Sequence, residues 1–145
     1  MATPIGSQSR YAARLQATLW RRLGKNATAS TTSIGGVYAH SLGTTMDGKS
    51  FIAVATANLS AVFGVAREAQ NDGIVTDMAT AGMINSYVLG HAGLSVGDML
   101  IPVNAKCYWA YSAASSGVPA WAIMATAYTN TTVDTLKSIM LAHPL

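Results

Sequence analysis

The chain has 145 residues and a mass of 15.0 kDa, enough for one domain around one core and too little for two. Half of its residues are apolar, only 10% are charged and its mean hydropathy is +0.30, against roughly a quarter charged in an average soluble domain, so part of the surface is expected to be covered by something other than water. A membrane-spanning helix is excluded as the explanation, because Gly, Thr, Asn and Asp interrupt every run before the roughly 18 apolar residues that a span requires.

At the N-terminus a signal peptide is not expected, since arginines recur throughout and no continuous apolar stretch occurs; the chain is read as mature from its start. Residues 1–25 hold Arg10, Arg14, Arg21, Arg22 and Lys25 and no acid, whereas the rest carries four basic and six acidic residues. Tyr11, Leu15, Leu19 and Leu23 recur at i, i+4, with Ser7 and Ser9 available as caps and Gly24 as a stop. This spacing predicts a short amphipathic helix over 10–23. At about 100° per residue, Arg10, Arg14 and Arg21 fall beside its apolar stripe. Three uses are open for such an arm: a solvated basic face on its own domain, docking on another subunit, or direct binding of nucleic acid. The last is not expected, because five basic residues on one short element give only a modest counterion-release effect.

Residues 26–32 read NATASTT, small and polar, which suits a flexible linker or a strand lead-in. The chain is accordingly divided into a basic arm and linker, 1–32, and a β-rich domain, 33–145. Short apolar or alternating runs recur over 36–40, 51–57, 61–66, 74–79, 83–89, 99–103, 107–111, 121–128 and 138–141. Turn chemistry separates them at Asp47-Gly48, Asn71-Asp72-Gly73, Ala81-Gly82, Gly90, Gly97-Asp98 and Ser115-Ser116-Gly117. The spacing predicts a mainly β fold, a small sandwich or barrel of tulip-like form, carrying the helical arm at its N-terminus. The Ala-rich runs 53–57 and 120–127 are compatible with helix by propensity, but their Thr, Val and Trp content favours strand.

Candidate chemistry is sparse. His40, His91 and His143 lie far apart, with none of the short separations that local metal sites use. The acids Asp47, Glu68, Asp72, Asp77, Asp98 and Asp134 are scattered, four of them in or beside turn signals where Asp bonds to backbone. Cys107 sits in the apolar run CYWAY and reads as a small buried hydrophobe; as the lone cysteine it makes no internal disulfide. Gly35-Gly36 lacks the glycine spacing and the following helix of a phosphate cradle. No metal, nucleotide or other cofactor is expected, and the chain is not read as an enzyme. Tyr108, Trp109, Tyr111, Trp121, Tyr128, Met99, Met124 and Met140 serve a core or a subunit interface, where Trp, Tyr and Met are enriched and Lys and Glu depleted. Trp109, Tyr111 and Trp121 are the interface candidates.

Residues 61–100, AVFGVAREAQNDGIVTDMATAGMINSYVLGHAGLSVGDML, resemble the core of the capsid decoration, or cement, proteins of tailed bacteriophages. The shared punctuation is Gly64-Val65-Ala66 closing a strand, a turn at Asp72-Gly73, another at Ala81-Gly82, and Gly97-Asp98-Met99-Leu100. The closing segment, with Ser116-Gly117, residues 121–126 and 139–144, is also similar to the final strands of that family. Two features depart from the pattern: the basic arm of residues 8–24, and the aromatic CYWAY run where small residues are expected. The resemblance implies a non-catalytic virion protein, made in the host cytoplasm and bound to the capsid exterior through the major capsid protein. It also implies self-association, often as a trimer, and resistance of the shell to the pressure of packaged DNA. In this reading Arg10, Tyr11, Arg14, Leu15, Leu19, Arg21 and Leu23 are the capsid-binding arm. Another virion part, such as a tail or head-fiber base, and a small nucleic-acid-associated module are the alternatives.

Overall fold

A computed structural model describes residues 20–42, 46–55, 59, 61–91, 93–103, 107–112, 119–128 and 135–141. Among them are nine strands and no helix: β1 (Trp20–Asn26), β2 (Val37–Leu42), β3 (Met46–Ile52), β4 (Val62–Ala66), β5 (Val75–Val88), β6 (Met99–Pro102), β7 (Trp109–Tyr111), β8 (Ala122–Met124) and β9 (Thr135–Leu141). They form one sheet in the order β1-β3-β2-β4-β5-β7-β6-β8-β9, with further pairings of β1 and of β9 to β5. The pairings thus run in two circuits that share β5. One passes through β1, β3, β2 and β4, and the other through β9, β8, β6 and β7. Pairing is parallel between β1 and β3 and between β5 and β7, and antiparallel elsewhere. The mainly β expectation is met, in the form of this nine-stranded sheet.

The two circuits meet where β5 changes partner. Trp20 pairs with Ala81, and Gly82 pairs with Leu141. At the junction Gly82 has φ +106°, a conformation open to glycine and strained for other residues, so one 14-residue strand bends from the first circuit into the second without ending. The expected turn at Ala81-Gly82 is therefore corrected to a kink inside β5. Asp47-Gly48 likewise lies within β3. Of the other punctuation, 64–66 closes β4, 72–73 lies in the turn before β5 and 97–98 precedes β6, while Ser116-Gly117 and residues 142–144 lie outside the described residues.

The helix expected over 10–23 is corrected for its last residues. Trp20 to Leu23 belong to β1, which pairs with β5 from Lys25↔Val75 to Trp20↔Ala81; residues 10–19 lie outside the described residues. Burial along β1 has a period of two, with Arg22, Gly24 and Asn26 turned inward and Arg21, Leu23 and Lys25 outward. Gly24 is not a helix stop. A Cβ there would stand 2.6 Å from the Phe63 ring and 2.8 Å from the Phe51 ring, so its missing side chain admits those two rings over the strand. A strand of seven residues gains a ladder of backbone bonds to β5, which outweighs the weak helix preference of a short amphipathic segment.

Residues 26–32, expected as a flexible linker or a strand lead-in, hold the end of β1 at Asn26 and a hydrogen-bonded loop after it. Asn26 is fully buried. Its Nδ2 donates to Ser30 O at 2.8 Å and Gln70 O at 3.0 Å, while its Oδ1 accepts from Thr28 N at 2.9 Å. Thr32 Oγ1 donates to Glu68 O and accepts from Gln70 N, both at 2.9 Å. Ala29 N donates to Asp72 Oδ1 at 2.9 Å. Small polar side chains here latch one loop to the other by satisfying buried backbone groups.

Two apolar clusters fill the molecule. Tyr38, Phe51, Phe63, Ala66 and Met78 form the smaller, inside the first circuit. Leu100, Trp109, Met124, Ile139 and Leu141 of the second circuit join Val37, Val62, Val65 and Ala79 of the first in the larger. Strand β4 is buried at all five positions and contributes to both. Each large side chain fully buried in this way contributes about 1.5–3 kcal/mol relative to exposure.

Candidate functional site

Where the two circuits meet, a cavity of about 270 Å³ is lined by Arg22, His40, Val62, Phe63, Gly64, Thr80, Trp121 and Leu141. Arg22 comes from the inward face of β1. Its guanidinium lies 3.7 Å from the Phe63 ring centroid, and its Nη2 donates to Phe63 O at 3.1 Å and to His40 Nε2 at 3.0 Å. Because arginine has no acceptor, this bond uses Nε2 of His40 as the acceptor. Burial pushes the Arg22 guanidinium below its ordinary pKa. Aromatic contact and a carbonyl thus accommodate this charge, and they tie β1 to β2 and β4. The sequence carried no signal for it, since Arg22, His40 and Phe63 are distant along the chain and meet only through sheet pairing.

The outer face of β1 and the first half of β5 is basic and apolar. Trp20 is 74% and Leu23 68% exposed; Leu23 stands opposite Asp77, and Lys25 opposite Val75. Asp77 accepts from Arg67 at 3.0 Å and Arg21 at 3.5 Å. Glu68 lies beside them, its Oε1 accepting from Asp77 N at 2.9 Å, so two arginines meet two carboxylates and exposed Lys25 supplies the positive excess of this face.

A different surface covers the outside of the second circuit. Met83 of β5 is paired with Met140 of β9, Met140 with Ile123 of β8, and Ile123 with Met99 of β6. Side chains directly opposite on one sheet face touch, so these four make a continuous apolar row across four strands. Met83, Met99 and Met140 are each exposed, as is Leu136 further along β9. No outward-facing residue of β5 beyond Gly82 or of β9 is charged: Met83, Asn85 and Tyr87 face Met140, Ser138 and Leu136.

The expected site residues are dispersed among these features. Arg10, Tyr11, Arg14, Leu15 and Leu19 lie outside the described residues; Arg21 and Leu23 share the basic face. Of the interface candidates, Trp109 is corrected. It is fully buried, and its Nε1 donates to Ser86 Oγ at 2.9 Å, so it belongs to the core and has no surface to offer a neighbour. Trp121 lines the cavity. Tyr111 is 44% exposed and packs on His91 at 5.0 Å between ring centroids. Cys107 is half-buried beside the smaller cluster. Among the described residues no three of His, Cys, Asp and Glu gather at metal-binding separation. The row through Met83 and Ile123 escaped sequence reading because it depends on register between strands.

No family model matches the chain, and no curated protein does. Among solved structures, the head fiber gp8.5 N base of bacteriophage phi29 is similar in fold. The TM-score is 0.53 at 12% sequence identity, and the alignment covers 88% of this chain and 97% of that one.

Proposed function

We propose that this chain is a non-catalytic structural part of a bacteriophage virion, seated on the capsid exterior as the base of a head fiber or as a decoration protein. The observation that carries the reading is the fold likeness to a phage head-fiber base over almost the whole of both chains. That likeness favours the fiber-base form. The punctuation at 64–66, 72–73 and 97–100 supports the decoration form, although Ala81-Gly82 does not turn as that pattern expects. Low charge and an exposed methionine row suit a protein that works in repeated contact with other subunits, where avidity over a lattice makes modest contacts lasting. In this reading the chain is a homo-oligomer, most simply a trimer, and its partner is the major capsid protein.

The N-terminal segment and β1 provide the attachment. Arg10 and Arg14 have no acid near them in sequence. Arg21 is held by an exposed ion pair, which contributes little to stability and exchanges readily for a carboxylate on a shell subunit. Incubating the purified protein with capsids of its own phage and pelleting the particles tests this. Stoichiometric co-sedimentation that weakens with salt, and is lost on deleting residues 1–19, is expected. Failure of the intact chain to sediment with capsids overturns the reading, whereas undiminished binding of the truncated chain overturns only the role of the segment.

A further inference from the structure

We propose that the uncharged outer face of the second circuit, centred on Met140, is the surface through which copies of this chain associate; the inference rests on the homo-oligomer of the functional reading above and names its interface. The face is built from the row Met83, Met140, Ile123 and Met99, with Leu136 beside it. Charge selects the occupant. Near a symmetry axis, two-fold or three-fold, a surface that meets its own copies places like groups near like groups, so any charge on it there risks repulsion at close range. The basic face around Arg21, Lys25 and Arg67 is poorly suited to a second copy and well suited to an acidic partner. On the methionine face, the outward positions of β5 beyond Gly82 and of β9 are Met83, Asn85, Tyr87, Leu136, Ser138 and Met140, and two such surfaces meet without electrostatic cost. Among the described residues, these outward positions carry no charge by which an unlike partner would be steered and told apart. Methionine suits the role, because its unbranched, polarizable side chain adapts to a neighbour without a rigid complementary shape. Both strand partners of Met140 are already paired, β9 lying between β5 and β8, so the contact is face to face through side chains and adds no strand to the sheet.

Sedimentation velocity over a range of protein concentrations tests the proposal. The intact chain is expected to form a discrete oligomer whose population depends on concentration and hardly on salt, since no ion pair holds it. Met140→Asp, at an exposed strand position, is expected to weaken association about a hundredfold by burying an unpaired carboxylate. Leu23→Asp, on the basic face, is expected to leave association intact. Circular dichroism on each variant confirms that the sheet is retained, and Met83→Ser provides a milder second variant should Met140→Asp unfold. A monomer at every concentration, an oligomer dissolved by salt, or a folded Met140→Asp protein that still associates overturns the proposal. Capsid pelling is read separately: self-association can fail while capsid binding persists, and the reverse outcome overturns only the functional reading.

Discussion

Trp109 Nε1 donates to Ser86 Oγ at 2.9 Å, and Ser86 Oγ donates in turn to Gly35 O at 2.6 Å, all three groups buried. This chain of two bonds ties β7 to the shared strand β5 and to the turn before β2, across both circuits. Gly35 O also accepts from Tyr87 N at 3.0 Å, so removing the serine hydroxyl orphans the indole and not the carbonyl. Ser86→Ala is therefore expected to cost about 1–3 kcal/mol, read as a lower denaturation midpoint in urea with an unchanged slope. An unchanged midpoint would mean that water or another acceptor takes over the indole.

Gly24 tests how closely β1 packs on the smaller cluster. Here an added Cβ lies 2.6 Å from the Phe63 ring and 2.8 Å from the Phe51 ring, both within the smaller cluster, and neither ring moves without disturbing its neighbours. Gly24→Ala is expected to destabilise by about 1–3 kcal/mol, measured by thermal or urea unfolding; a neutral or stabilising result would argue against the packing of β1 over these rings.

The same position shows how much was legible beforehand. Strands β2, β4, β6 and β9 announce themselves through Val, Ile and Tyr content and bounding turn residues, because their patterns are local. Strand β1 was hidden. Leu15, Leu19 and Leu23 keep helical spacing, and only the long-range ladder to β5 decides against a helix at residues 20–23. Gly82 was seen as punctuation, but sequence does not distinguish a glycine that ends a strand from one that bends it. Residues 26–32 looked like a linker because their small polar side chains are common to linkers and latches. What differs is the buried backbone of residues 68–72 that they meet, and that lies about 40 residues away. The basic, apolar character of the segment leading into β1 was legible, while the methionine row, a property of register, was not.

Asn26 fixes that latch. Asn26→Ala withdraws donors from Ser30 O and Gln70 O and an acceptor from Thr28 in a site without exposure, with an expected cost of about 2–4 kcal/mol. Hydrogen exchange should then accelerate first at the amides of Thr32 and Gln70, which the latch protects. Uniform acceleration across the sheet would show instead that the loop has no separate local stability.

Tyr38 gives the fold an alkaline limit. Burial raises its phenol above the ordinary value of 10.0, against the opposing bond from Ser33 N. A raised pKa means that the folded state favours the neutral form. Its stabilisation is complete below the unfolded pKa and is lost as pH rises from there through the folded pKa. Unfolding midpoints should fall above about pH 10, and Tyr38→Phe should make that fall shallower. An identical alkaline decline in both proteins would assign it to other groups.

The central proposal is that this chain is a structural component on the outside of a phage capsid, and it is tested most directly by electron cryomicroscopy of intact virions from a phage whose genome carries its sequence. The account predicts density outside the shell that fits the two β circuits, with β1 turned toward the capsid and the Met140 face toward a neighbouring copy. Purified virions that lack the chain, or that carry it inside the shell, would contradict it.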